Sequence, residues 1–190
     1  MRPTQTPFQR HLSFFDHNHD GVIAPSDSLR AALSIGCDFP VACVWAFIVP
    51  LLYGNSGPLS SAIHVPSIPA SKRRTMLENY PVTQPTYSRG DLTQIASKET
   101  NNWVDWLHVF NLWTLAADSR TGLVSKRDFE LFQKGELLEE LKRRRRVRRP
   151  DGANVLPFVR GGPIWVGGHS MFVGLLFGVE VYKQGNERGE

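Results

Sequence analysis

The chain has 190 residues, of which 41% are hydrophobic and 21% are charged, and its formal net charge is +4. This composition is that of a globular protein and excludes wholesale disorder. Seven of the 22 basic residues lie in the octet Lys142–Arg149, and the remaining 15 are outnumbered by 18 acidic residues. The positive charge is therefore local, which argues against a protein that coats nucleic acid. The two cysteines, Cys37 and Cys43, are too few for a disulfide scaffold, and the N-terminal segment lacks the apolar core of a secretory signal, so we expect a reducing compartment.

Residues 16–27 carry the most specific short pattern, an Asx-rich stretch with glycine at its sixth position and aspartate at its twelfth. The spacing is that of an EF-hand calcium loop, in which alternate side chains point into one cage of oxygen ligands. We expect the ligands to be the side chains of Asp16, Asn18, Asp20 and Asp27 and the backbone carbonyl of Val22. Because Asp27 is one methylene shorter than glutamate, we expect weak calcium binding, with a dissociation constant of roughly 10⁻⁵ M or poorer, and competition from Mg²⁺. The alternative is a metal-free Asx-rich turn between two helices.

Residues 39–53 carry no charge. As a helix they reach about 22 Å, which is short of the roughly 30 Å hydrocarbon core of a bilayer. Pro50 removes a backbone donor near their end, so they predict a proline-interrupted apolar hairpin or a helix that lies in a lipid interface. The alternative is a helix buried in a protein core.

The segment 103–117 is apolar nearly all round, and its one polar line consists of Asp105, His108 and Asn111. Such a helix requires burial on most sides. It fits a protein core or the aromatic wall of an acyl pocket.

The segment 117–128 aligns Gly122 with the sixth position of an EF-hand loop but has no carboxylate at the first, third and fifth positions. We expect this degenerate loop to bind no metal. Because EF-hand loops usually occur in pairs, we expect Val124 to pair with Ile23 of the calcium loop.

The basic octet at 142–149 has three interpretations: a solvated helix end, a patch for anionic phospholipid headgroups, or a nuclear-import or nucleic-acid patch. It contains no aromatic residue for base stacking, so nucleic acid ranks last. The tail at 150–190 is rich in glycine, and its apolar stretch at 164–179 is short for a membrane span. We expect an irregular tail that holds a second membrane-associating element or does not fold.

The order of these pieces resembles the caleosin family, the calcium-binding lipid-droplet proteins that are also called peroxygenases. The resemblance lies in HLSFFDHNHDGVIAPSDSLRAALSIG, which carries the calcium loop, and in WLHVFNLWTLAADSRTGLVSKRDF. It covers about residues 8–141, with a shortened middle. It implies a location on lipid droplets or the cytoplasmic face of the endoplasmic reticulum, and a haem-dependent enzyme that takes oxygen from fatty-acid hydroperoxides.

Two histidines are associated with haem in this family. The first precedes a Phe pair and matches His11, which the resemblance makes a candidate axial ligand and catalytic residue. Arg73 stands where the second histidine belongs, and arginine has no lone pair to donate to iron. The alternative for His11 is a hydrogen-bonded helix histidine beside the loop. The candidate substitutes for the second histidine are His64, His108 and His169.

We therefore predict a mainly α-helical fold: an EF-hand over 1–36 paired with a degenerate loop, an apolar and proline-rich lipid-interface region over 37–74, a helical region over 75–141, the basic run and the irregular tail. The predicted function is calcium-dependent association with a lipid surface, helped by contact of 142–149 with anionic phospholipid. Haem peroxygenase activity and a non-catalytic structural role, which the Arg73 replacement favours, stay open. A nuclear protein with a basic tail is a third alternative.

Overall fold

The computed structural model describes residues 6–53, 62–65, 79–99, 103–146 and 155–182. Within these ranges the chain forms eight α-helices and four two-residue strands, which confirms the mainly α fold. In chain order they are α1 (Pro7–Ser13), β1 (Val22–Ile23), α2 (Pro25–Ser34), α3 (Phe39–Tyr53), β2 (Ile63–His64), β3 (Thr86–Tyr87), α4 (Arg89–Glu99), α5 (Trp103–Ala116), β4 (Val124–Ser125), α6 (Lys126–Lys134), α7 (Leu137–Arg145) and α8 (Val166–Phe177). A short 3-10 turn, Phe158–Arg160, precedes α8.

Local sequence explains where the helices begin. α1 starts with a capping box, in which the Thr6 hydroxyl accepts from the Gln9 amide at 3.2 Å and the Gln9 side chain accepts from the Thr6 amide at 2.9 Å. α6 starts at Ser125, whose hydroxyl accepts from the Asp128 amide at 3.1 Å. It ends at Gly135, which adopts the left-handed conformation with φ of 75°.

The four strands form two separate antiparallel pairs. Ile23 of β1 pairs with Ile63 of β2, and Tyr87 of β3 pairs with Val124 of β4. The predicted pairing of Val124 with Ile23 is therefore wrong. The physical reason is that the two loops belong to different apolar clusters: Ile23 and Ile63 are buried in a small one, and Val124 and Tyr87 lie in the main core.

The segment that leads into α4 repeats the helix-start geometry of the two EF-like loops. α2, α4 and α6 each begin directly after a strand and carry an aspartate as third helical residue, namely Asp27, Asp91 and Asp128. The Asp27 carboxylate accepts from the Ala24 amide at 3.0 Å, and the Asp91 carboxylate accepts from the Ser88 amide at 2.8 Å. Residues 84–91 are thus the structural partner of the degenerate loop.

The apolar segment forms one helix, α3, which runs from Phe39 through Pro50 to Tyr53. The predicted interruption at Pro50 is therefore wrong, and the returning arm of the predicted hairpin falls largely outside the described residues. The helix continues because Ala42 and Ala46 are buried in its first half and α3 packs along α2, whereas Pro50 removes only one amide donor close to the helix end. Among the described residues no helix has the length and apolarity that a bilayer span requires.

The tail folds onto the core. α8 is regular and ends at Gly178 in the left-handed conformation, and Val173, Val181 and Tyr182 are buried. The Tyr182 hydroxyl donates to the Gly36 carbonyl at 3.2 Å, and Gly36 has φ of +85° and no room for a Cβ beside that ring. The prediction of an irregular tail is therefore wrong for residues 155–182, because these buried side chains supply the packing that the glycine content conceals.

Candidate functional site

The first candidate site is the loop 16–27, which α1 and α2 hold between them. Asp16 is buried at the end of α1, and its Oδ2 accepts from the Gly21 amide at 3.0 Å. Gly21 has φ of +80°, which closes the turn around that carboxylate. The other oxygen of Asp16, Oδ1, is buried without a hydrogen-bond partner in the part of the chain that the structure describes. An orphaned carboxylate oxygen is unusual in a protein interior and requires an explanation.

The other predicted ligands lie around the same turn. Asn18 Nδ2 donates to Asp20 Oδ2 at 2.7 Å, and Asp20 Oδ1 accepts from the Val22 amide at 2.7 Å. Asp27 accepts from the Ala24 amide with one oxygen. Pairing of β1 with β2 fixes the far side of the loop, and the Val65 amide donates to the Gly21 carbonyl at 3.0 Å.

The donor set fits a hard divalent cation, because every predicted ligand presents oxygen. Over the described ranges no three His, Cys, Asp or Glu side chains lie together as a metal cluster. Asp20 and Asp27 instead accept from loop amides, so an ion at Asp16 Oδ1 would require both carboxylates to turn inward. The loop therefore has the residue spacing of a calcium site, but two of its carboxylates are hydrogen-bonded within the loop.

The second candidate site is an apolar cavity of about 90 Å³ between α1, α3, α5, α6 and α7. His11 and His108 line it together, and both rings stand beside Phe132, with ring centroids 4.9 Å and 6.2 Å from the Phe132 centroid. Asn111 also lines the cavity, and its Oδ1 is buried without a hydrogen-bond partner among the described residues.

Both imidazoles in this cavity are neutral at physiological pH. Burial lowers the pKa of His11, although the Phe132 carbonyl opposes the change. Burial, and secondly the charge of His11, lowers the pKa of His108 to about 4. His11 Nε2 lies 2.9 Å from the Phe132 carbonyl oxygen. Because a carbonyl can only accept, Nε2 carries the proton and only Nδ1 keeps a lone pair.

Haem does not fit this cavity as it stands. Its volume is well below the roughly 300 Å³ at which ligand pockets begin, and the Nε2 of His11 is already bonded to Phe132. A neutral imidazole can bind a metal ion, but this cavity has only the volume of a packing defect in the core. We therefore derive no reaction step through haem.

The remaining histidine predictions have mixed outcomes. Arg73 lies outside the described residues. His64 is exposed in β2, and His169 is buried in α8, where its Nδ1 lies 3.3 Å from Asp38 Oδ1. His108 is the one of the three candidate substitutes that shares a cavity with His11. The sequence signal for it was the polar line on an otherwise apolar helix.

Several arginines of the basic run form contacts within the protein. Arg143 and Arg144 both donate to Glu140, and Arg144 also lies 2.6 Å from Asp128. Arg145 is buried. Residues 147–149 lie outside the described ranges, and the phospholipid patch stays a prediction.

Comparison with known proteins agrees with the resemblance that the sequence suggested. The family model described as "Caleosin related protein" matches residues 3–80. The chain is also 25% identical over 167 residues to "Probable peroxygenase 4" of Arabidopsis thaliana, an alignment that covers 72% of this chain and 86% of that relative. No solved structure matches the chain significantly. Together with the motif order described above, these two matches support the resemblance of this chain to the caleosin family.

Proposed function

We propose that this chain is a caleosin-like calcium-binding protein that associates with the surface of lipid droplets or the endoplasmic reticulum. The observation that carries the proposal is the orphaned Oδ1 of Asp16 inside a loop with EF-hand spacing. A buried carboxylate oxygen without a donor is stabilised by a cation, and the neighbouring ligands are oxygens that Ca²⁺ prefers.

The ion would join residues that now bond to the loop itself. Asp20 would exchange its contact with Asn18 for the ion, and Asp27 would add its second oxygen while the first keeps the Ala24 amide. The short Asp27 side chain limits bidentate contact, so the site would be weak for Ca²⁺ and open to Mg²⁺.

An exposed apolar surface supports the lipid part of the proposal. The start of α3 contacts α8, because the Phe39 ring lies 5.6 Å from Phe172 and 5.7 Å from Phe177. Beside this contact Phe47 is 69% exposed and Leu175 is 84% exposed. α8 and the residues before it also expose the large apolar side chains of Phe158, Val159, Ile164, Trp165, Met171 and Leu176. Exposed apolar side chains in this number on and beside two helices that contact each other are typical of a lipid or protein contact.

Basic residues lie next to that surface. Lys142 and Arg146 line the same groove as Phe177 and Val179 at the end of α8. Cations beside an apolar face favour a surface with anionic headgroups, at about 1 kcal/mol for each charge. This arrangement supports an anionic lipid surface as the proposed partner.

Flotation with triolein droplets coated with phosphatidylcholine and phosphatidylserine tests the lipid contact. We expect the wild-type protein to float with the droplets, and the fraction bound to fall when EGTA removes calcium. Leu175→Glu should weaken binding at least about tenfold, because it places a charge where an apolar side chain meets lipid. Gln94→Glu, an exposed position on α4, is the matched control. Equal flotation of the Leu175→Glu and control variants would contradict the proposal.

Peroxygenase chemistry is the second candidate function. It is favoured by the printed name of the relative and by the two neutral histidines that line one cavity. The test is the absorption spectrum after reconstitution with haemin. A Soret band that disappears in both His11→Ala and His108→Ala would support this function, and the absence of bound haem would leave the non-catalytic role.

A further inference from the structure

A further buried site lies at the C-terminal end of α5. Arg145, at the end of α7, and Arg160, in the 3-10 turn, are only 6% and 9% exposed. Arg145 Nη2 donates to the Leu115 carbonyl at 2.7 Å, and Arg160 Nη1 donates to the Ala117 carbonyl at 2.6 Å. The two guanidinium groups thus meet at the C-terminal end of α5, where helix carbonyls lack helical partners.

These hydrogen bonds leave donors unused. Arg145 Nη1 is buried and has no hydrogen-bond partner in the part of the chain described. A guanidinium carries five N–H donors in a planar fork, and an unpaired one in the interior costs about 1 to 3 kcal/mol or more. The fork shape matches the two oxygens of a carboxylate or phosphate.

The groups next to Arg145 supply no negative charge. Burial raises the pKa of Cys37 to about 11, against the opposing charge of Arg145. Burial likewise raises the pKa of Tyr182. Both groups are neutral at pH 7. Burial, and secondly the charge of Arg145, lowers the pKa of Arg160, whereas the charge of Asp118 opposes the change.

The nearby carboxylates are engaged elsewhere. Asp128 lies 2.6 Å from Arg144, which it shares with Glu140. Asp118 accepts from the amides of Arg120 and Thr121 in its own loop, at 2.9 Å and 2.8 Å. Among the described residues, Arg145 and Arg160 therefore have main-chain carbonyls as hydrogen-bond partners but no carboxylate ion pair, and a helix end supplies only about half a negative charge.

Both arginines line one cavity of about 340 Å³. The rest of its lining combines apolar side chains, such as those of Leu141, Val155 and Leu156, with the carboxylates of Asp118 and Asp128 described above. This volume falls within the range of about 300 to 1,000 Å³ that is typical of small-molecule sites. A cavity lined by arginines and by apolar side chains fits a ligand that has a negatively charged group and an apolar body.

We propose that this cavity binds a small amphiphilic oxyanion, a carboxylate or phosphate on an apolar body, with Arg145 and Arg160 on the oxyanion. The oxyanion would accept from guanidinium donors that form no ion pair with a carboxylate among the described residues, and the apolar body would cover Val155 and Leu156. The site is separate from both the calcium loop and the histidine cavity.

Calorimetric titration of the full chain with three probes tests this site. Octanoate carries the charge and the apolar body, octanol only the body, and inorganic phosphate only the charge. We expect octanoate to bind at least about tenfold more tightly than octanol, since a charge-assisted hydrogen bond contributes about 1.5 to 3 kcal/mol. Phosphate that binds as tightly as octanoate would show that the apolar body contributes nothing and would contradict an amphiphilic ligand.

Two variants localise the binding. Arg160→Gln should weaken octanoate at least about tenfold, and Arg143→Gln, an exposed arginine on the same side of the molecule, should leave it unchanged. Val155→Phe fills the cavity and keeps both guanidinium groups, so it decides the matter if Arg160→Gln does not fold. The proposal is overturned if no probe binds, if octanol equals octanoate, or if Val155→Phe binds octanoate like wild type. The arginines would then serve only to cap α5.

Discussion

At the scale of single residues, the most consequential feature is the neutral state of His11 and His108. Both line an apolar cavity, and burial lowers the pKa of each below its usual value. Because folding lowers the pKa of both histidines, the free energy of unfolding depends on pH.

The sign of this dependence follows from the lowered pKa of His108. Above about pH 6.5 both folded and unfolded states are neutral at this residue, and its contribution is fully present. As the pH falls from 6.5 towards 4, His108 binds a proton in the unfolded state but stays neutral in the folded state. We expect the protein to lose about 2 to 3 kcal/mol of its free energy of unfolding over this range, from His108 alone.

Urea unfolding at about pH 7 and about pH 5 measures this loss. His108→Leu should flatten the dependence, leaving the contributions of His11 and His169. His17→Gln, at an exposed loop position, should not change it. An unaltered pH slope in His108→Leu would show that another group causes the loss.

At the scale of elements, the contact of α7 with α6 depends on one half-buried ion pair. Arg144 Nη2 lies 2.6 Å from Asp128 Oδ1, and the Asp128 side chain is only 8% exposed. The same carboxylate bonds to the Ser125 hydroxyl at 2.9 Å, which ties the start of α6 to β4. Asp128 therefore joins three elements.

Asp128→Asn should destabilise the fold by about 1 to 3 kcal/mol, because it leaves the Arg144 charge with a weaker partner. The matched control on the same helix is Glu130→Gln. Glu130 lies 3.9 Å from Lys126 on the surface, and its removal should cost less than about 0.5 kcal/mol. Chemical denaturation of the two variants distinguishes them, and equal destabilisation would contradict this role of Asp128.

Some elements could be predicted from the sequence and others could not. The helix–loop–helix at 16–27 was predictable because its ligands are contiguous. The strand pairs were not, because two residues such as Ile63 and His64 carry no periodic pattern. The predicted interruption at Pro50 was wrong because a single lost hydrogen bond near a helix end does not decide whether the helix continues.

At the scale of the whole molecule, the tail closes the fold. Tyr182 is fully buried, accepts from the Leu156 amide at 3.0 Å, and donates to the Gly36 carbonyl 146 residues earlier in the chain. Its own amide donates to the Arg145 carbonyl at 2.7 Å. Through its amide and its hydroxyl, this one residue joins the tail to α7 and to the turn after α2.

Tyr182→Phe should lower the free energy of unfolding by about 1 to 3 kcal/mol, because it leaves the Leu156 amide and the Gly36 carbonyl buried without this partner. Val159→Ala, in the same tail but 89% exposed, should change it little. Thermal unfolding compares the two variants. A Tyr182→Phe protein as stable as wild type would contradict the proposed closure.

Contacts of this range explain what the sequence could not predict. His108 lies 97 positions from His11, and only the packing of α1 against α5 and α6 brings them to one cavity. Tyr182 and Gly36 lie still further apart, so the glycine-rich composition of the tail concealed its role in the core. The resemblance to the caleosin family, by contrast, could be seen in short contiguous motifs.

Calorimetric titration with Ca²⁺ and Mg²⁺ tests the central claim most directly. We expect one site with a dissociation constant of roughly 10⁻⁵ M or weaker for Ca²⁺. Asp16→Asn should abolish the heat, and Asp118→Asn in the degenerate loop should leave it unchanged. Asp27→Glu should tighten Ca²⁺ about tenfold by restoring a second carboxylate contact. The absence of heat with both ions, or unchanged binding in Asp16→Asn, would contradict the account.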